Sequence, residues 1–182
     1  MSTTKLFVEL VVIGAGAFGW FILLALAVFG YDRTLLDALK SPVIVIACLP
    51  LIYVLGIITD RFADATFQRL VKISLKDAEQ LSRNDQEKAR RLVFDRSERV
   101  AELVEYGRHR LRICRGWAFN SVLSAVMLNI LLLRIPDLPV NRITVGIYGT
   151  CVALLFAVSG WWSWKRILTN EYRVLKEELT RS

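Results

Sequence analysis

Nucleophilic catalysis needs a nucleophile beside a base, and metal binding needs histidine and cysteine at ligand spacing. This chain has one histidine, His109, and three cysteines, Cys48, Cys114 and Cys151, with no Cys/His cluster at metal spacing. It has no phosphate-binding loop and no nucleophile elbow. Its long apolar stretches contain neither a serine–histidine pair nor paired aspartates. The expectation is a protein that is not an enzyme, with no catalytic residues, no metal and no cofactor. The cysteines do not form a secreted disulfide framework either, since none falls in a predicted outer loop.

The run Ile13-Gly14-Ala15-Gly16-Ala17-Phe18-Gly19 matches the dinucleotide fingerprint GxGxxG. That fingerprint needs an amphipathic helix next, then a strand and an acidic residue. Here the following residues are Trp20-Phe21-Ile22-Leu23-Leu24, so the context is a membrane span. Small residues in a span let helix backbones approach. The expected packing positions are therefore Ala15 and Gly19, with Gly146 and Gly149 on the last span.

Polar groups inside apolar stretches need partners. Asn120, Ser121 and Ser124 share one helical sector, and Asn129 points away from it. They are read as interhelical hydrogen-bonding groups, or as a polar stripe lining a pore. Glu9 lies near the start of the first span, where it can pair with a surface arginine. Asp60 and Asp64, at i and i+4, are expected to pair with Arg61, Arg112 or Arg115. Arg108, Arg112 and Arg115 follow one another at i, i+4 and i+7, with Arg110 beside them. Such clusters attract anionic lipid head groups at about 1 kcal/mol per basic residue. The four arginines are the expected lipid-binding residues.

The elements that carry these residues follow from hydropathy. The 182 residues are 54% hydrophobic, and the excess sits in four blocks, about 6–29, 42–59, 116–134 and 143–164. A bilayer core about 30 Å thick needs roughly 17–25 helical residues, so each block can span. Of the 24 lysines and arginines, only Arg33, Lys40, Arg134 and Arg142 fall on one side of a four-span arrangement. The rest face the other side with both termini, which makes that side cytoplasmic. The net charge of +7 is thus accounted for by topology, and no nucleic-acid partner is expected. The tryptophans Trp117, Trp161, Trp162 and Trp164 fall at the cytoplasmic ends of their spans.

Between the second and third spans, residues 60–115 alternate charge and apolarity at helical spacing. Ser82-Arg83-Asn84-Asp85 reads as a turn, and pairs such as Glu87 with Arg91 support a helix after it. The predicted fold is all-α. Spans 1 and 2 occupy 1–59, an antiparallel cytoplasmic hairpin 60–115, spans 3 and 4 116–164, and a polar C-terminal helix 165–182. Gly107 offers a place where the second hairpin helix could break. Ile73, Phe94 and Val104 fall outside a two-helix seam, and residual apolar surface of this kind marks an interaction face. They are the expected partner-binding residues.

The layout of the second half is a basic helix (96–115), a span pair with a short outer loop (116–164) and a polar helix (165–182). This resembles the SLATT-type membrane effectors of prokaryotic conflict systems. It is also similar to small membrane subunits of bacterial anti-phage operons. The resemblance implies an oligomer in the bacterial inner membrane that receives a signal from a cytosolic protein. The expected function is coupling of partner or subunit contact at the hairpin to the spans, as an effector or sensor. The alternative is an ion channel or small-solute transporter acting alone.

Overall fold

A computed structural model describes residues 3–30, 37, 41–74, 98–134 and 141–180. The described residues are all-helical, with no strand. They form α1 (Thr3–Phe29), α2 (Pro42–Ala47), α3 (Leu49–Ser74), α4 (Glu98–Arg134) and α5 (Arg142–Thr180). Three helical segments are long and apolar enough to cross a membrane: Leu6–Phe29, Glu105–Arg134 and Arg142–Arg173. They mark the chain as a membrane protein. The first predicted block coincides with the first segment, and the third and fourth blocks fall within the other two.

The second predicted block is divided. Pro42 begins α2 in the first-turn position that suits proline, and α2 ends at Cys48. Two backbone bonds then carry the helical path across: Cys48 N–H to Ile44 O at 2.9 Å and Ile52 N–H to Cys48 O at 2.9 Å. The break has a cause two residues on. Pro50 has no N–H and its ring crowds the carbonyl of Ile46, which interrupts a helix. Neither piece alone has the length and apolarity of the other three spans.

The ends of the long helices are set locally. Gly30 closes α1 with φ 91° and an N–H bond of 3.0 Å to Leu26 O. This left-handed conformation is the one glycine adopts without strain. Asn141 caps α5, accepting the Thr144 N–H on its side-chain oxygen at 3.3 Å. Helix α4 runs unbroken for 37 residues and α5 for 39. Gly107 therefore does not break α4; it faces Ile167 on α5. The segment from residue 165 is the continuation of α5 rather than a separate helix. The predicted turn at 82–85 lies outside the described residues.

Four helices pack along their lengths in a fixed register. α4 and α5 are antiparallel, with Gly160 against Cys114 and Ala118, and Gly149 against Leu128. α1 and α3 are also antiparallel. They meet at Gly14 and Gly56, where a Cβ on either glycine would overlap a carbonyl oxygen of the facing backbone, that of Ile52 or Leu10. α1 lies parallel to α4: Ile13 packs on Gly116, and Gly16 lies beneath Asn120. The outcome is a bundle in which the starts of α1 and α4 meet the ends of α3 and α5.

Candidate functional site

The charged residues that the sequence scatters over 107 positions, from Glu9 to Arg115, converge at that common end. Glu9 enters from the first two turns of α1, and its side chain is only 7% exposed. Asp60 and Asp64 stand one turn apart on α3. Helix α4 supplies His109, Arg112 and Arg115 at i, i+3 and i+6, which places them on adjoining sectors of one helix.

The side chains of His109, Arg112 and Arg115 each contact carboxylates of other helices. Nδ1 of His109 contacts Oε1 of Glu9, and its Nε2 lies 3.7 Å from Glu105 on its own helix. Arg112 reaches two helices, with Nη1 3.6 Å from Glu9 and Nε 3.8 Å from Asp60. These are ion-pair separations, longer than hydrogen bonds. Arg115 is a fork. Its Nη2 donates to Asp60 at 2.8 Å and its Nη1 donates to Asp64. Gln68 donates to the second oxygen of Asp64 at 2.8 Å.

Burial decides what this cluster is worth. Exposed ion pairs contribute little, whereas removing one member of a buried pair costs about 3–5 kcal/mol because a charge is left uncompensated. Glu9 is the most buried carboxylate here, and Asp64, at 36% side-chain exposure, is the least. The weight of the cluster therefore rests on Glu9, His109, Arg112, Asp60 and Arg115. Among the described residues, Glu9 Oε2, both ring nitrogens of His109 and Arg115 Nε are buried without a hydrogen-bond partner.

An aromatic core lies beside the charges. Phe67 of α3 stacks edge-on against Trp164 of α5, with centroids 4.9 Å apart, and tilts against Trp161 at 5.4 Å. Leu111 and Ala118 of α4 complete it. Of the four tryptophans predicted at the interface, Trp164 is thus buried, Trp161 is partly buried, and Trp117 and Trp162 are exposed.

The four arginines expected to bind lipid divide by surroundings. Arg112 and Arg115 point into the cluster. Arg108 lies 3.7 Å from Glu171 of α5. Arg110 is exposed and sits over the Tyr106 ring at 5.6 Å. The pairing expected of Asp60 and Asp64 is found with Arg112 and Arg115.

Among the polar residues of the third span, Asn120 is 1% exposed and bridges to α1. It donates to Ile13 O at 2.8 Å and accepts the indole N–H of Trp20 at 3.1 Å. Ser121 donates to its own helix at Trp117 O, 2.7 Å away, and Ser124 is half-buried. Asn129, on the opposite side as expected, donates to Thr150 of α5 at 2.9 Å.

The helix-packing residues separate in the same way. Gly146 packs against Leu132 and Gly149 against Leu128. Ala15 is exposed, and a Cβ on Gly19 would meet nothing within 4 Å. Within the chain the close approach is made by Gly14 and Gly16, one residue round the helix. Sequence reasoning missed this because α1 is apolar on every side, so periodicity identifies no face. The glycine of α3, Gly56, was the available signal, since it had no other role. Of the partner-binding residues, Phe94 lies outside the described residues. Ile73 and Val104 lie within α3 and α4, in stretches whose side chains are not described.

No protein-family model matches the chain, and comparison with curated proteins and with solved structures also found no match. The residues themselves therefore carry the functional reading.

Proposed function

We propose that the chain is a non-enzymatic membrane protein with four spans and both termini in the cytoplasm, housed in the bacterial inner membrane. It assembles as an oligomer, and its cytoplasmic helices bind neighbouring subunits or a soluble partner. One observation supports this reading: the charge cluster joins α1, α3 and α4 at one end of the bundle, the end from which the extensions proposed to be cytoplasmic run on. A contact made on those extensions acts directly on the spans, because α4 and α5 continue through the joint without a break.

The fourth span in this proposal is the α2–α3 path. Its exposed residues Val43, Ile46, Leu51, Val54 and Ile58 are apolar over the stretch before Asp60, as a lipid-facing surface requires. Pro50 kinks it, which spans tolerate when neighbouring helices support the backbone. The close α1–α3 contact provides that support. Asn120 and Ser121 hydrogen-bond within the bundle, which favours cohesion over a pore lining and weighs against a solitary channel. The resemblance in layout suggests anti-phage defence as the setting, with the protein as effector or sensor.

The test has two arms. Cysteine labelling in intact cells should place residues 84 and 182 inside and residues 37 and 138 outside. External labelling of residue 84 would refute the topology. Solubilised protein should run as an oligomer or bring down a cytosolic protein, and Phe94→Glu should weaken that association while membrane insertion persists. A monomer without a partner, unchanged by Phe94→Glu, would leave the hairpin a passive spacer.

A further inference from the structure

At the end opposite the charge cluster, α4 and α5 leave a cavity of about 840 Å³ between them. That is the size of a ligand site, about 300–1,000 Å³. Gly146 makes the recess, because it stands beneath Leu132 and Asn129 of α4 with no side chain to fill the space. Leu132, Leu133, Ile143 and Ile147 form the walls. Leu133 is 83% exposed, Ile143 76% and Ile147 62%, and both helices belong to segments long and apolar enough to cross a membrane. The cavity therefore opens sideways onto hydrocarbon rather than onto water.

Its polar groups stand at the two ends. Deep in the cavity, Asn129 donates to Ala125 O at 2.8 Å and to the Thr150 hydroxyl at 2.9 Å. Both amide hydrogens are thus engaged within the bundle, and this side chain offers no free N–H to a polar solute. At the mouth is Arg142, the first residue of α5, which lines the cavity. Arg134, the last residue of α4, is exposed at the same end. Among the described residues that line the cavity, none is acidic. An apolar trough with a cation at its mouth is complementary to an anionic amphiphile.

We propose that this cavity seats one anionic phospholipid of the adjoining leaflet. Arg142 holds the phosphate, Arg134 adds to the positive field, and one acyl chain runs down the trough to Cys151. The lengths agree. Arg142 and Cys151, both of which line the cavity, are nine residues apart on one helix, which is about 14 Å. One leaflet supplies about 15 Å of hydrocarbon, half of the bilayer core. The apolar walls accept any chain, so the choice of head group falls to the guanidinium, which matches phosphate with paired hydrogen bonds. The inference needs only that α4 and α5 cross the bilayer, and it stands whichever end faces the cytoplasm.

The test uses the full chain in phosphatidylcholine nanodiscs doped with phosphatidylglycerol that carries a photoreactive diazirine on one acyl chain. Mass spectrometry after irradiation locates the labelled residues. The expected labels concentrate at Leu133, Ile147 and Cys151 and spare Ile130 and Tyr148, which are exposed one residue away but outside the cavity. Phosphatidylcholine with the same diazirine chain should label the cavity less. Arg142→Gln should lower the phosphatidylglycerol labelling about fivefold, the weight of one basic residue at a membrane surface. Cys151→Trp fills the deep end from an exposed position and should clear the label from Ile147 in a protein that still inserts. Labelling of Ile130 and Tyr148 as strong as that of the cavity would mean ordinary surrounding lipid and overturn the proposal. Equal labelling by the phosphatidylcholine probe, or labelling that Arg142→Gln leaves unchanged, overturns it too. So does displacement of the label by soluble glycerol phosphate, since the site would then take a free anion.

Discussion

Replacing Gly14 with alanine adds one methyl group where, among the described glycines, a Cβ would lie nearest to a facing backbone. Its position would overlap the Ile52 carbonyl oxygen and lie 2.8 Å from the Ile52 carbonyl carbon and 3.0 Å from the Gly56 nitrogen. Those are backbone atoms, so no rotamer change relieves the clash. Carbon–oxygen distances settle near 3.3–3.6 Å, so α1 and α3 must part by roughly 1.5 Å. A gap of that size forfeits about half or more of the dispersion energy between the atoms it separates. Overpacking of this kind costs about 1–3 kcal/mol, which is the expected destabilisation. Gly19→Ala on the same helix is the matched control, because a Cβ there meets nothing within 4 Å. Reversible unfolding in mixed micelles or bicelles measures both. Gly56→Ala should resemble Gly14→Ala, and the double variant should cost less than the sum, since helices already parted accept the second methyl group easily. If Gly14→Ala and Gly19→Ala differ by less than about 0.5 kcal/mol, within the ordinary scatter of harmless substitutions, the backbone approach between α1 and α3 is not what holds them.

Two further expectations concern the polar groups. Asn120→Leu removes the bridge to Ile13 and Trp20 and should destabilise by about 1–2 kcal/mol, the scale of hydrogen bonds between spans; an unchanged unfolding midpoint would show that the bridge contributes nothing net. Arg115→Ala leaves Asp60 and Asp64 without their shared partner and should shift the same midpoint well beyond Arg110→Ala, whose guanidinium is exposed; equal effects would remove the distinction between the inward and outward arginines.

What could be read from the sequence depended on contrast. Charges against an apolar background are conspicuous, so the three long spans were legible and so were the partners of Asp60 and Asp64. Glu9 was recognisable as a group in need of a cation, and Arg112 is one such partner. Its closer partner, His109, was not foreseen, because residues of different helices share no periodicity that would place them together. The same lack of contrast hid the packing face of α1, where apolar residues surround the helix and geometry alone favours Gly14 over Gly19. Pro50 was a visible warning that the second apolar block would not form one regular helix. Gly107 was the opposite case. A glycine in a helix costs only about 1 kcal/mol, and the long packing of α4 along α5 outweighs it.

The uninterrupted course of α4 has a mechanical consequence. At 1.5 Å per residue, its 37 residues make a rod about 55 Å long, while the hydrocarbon layer is only about 30 Å thick. The rod overhangs the layer by about 25 Å in all. It has no elbow at Gly107 to absorb a sideways push. A tilt of roughly 10° about one end would displace the other by about 10 Å, as a rod of this length dictates. A sideways force at the Glu98 end is carried along the rod past Arg112 and Arg115 to the Arg134 end as leverage.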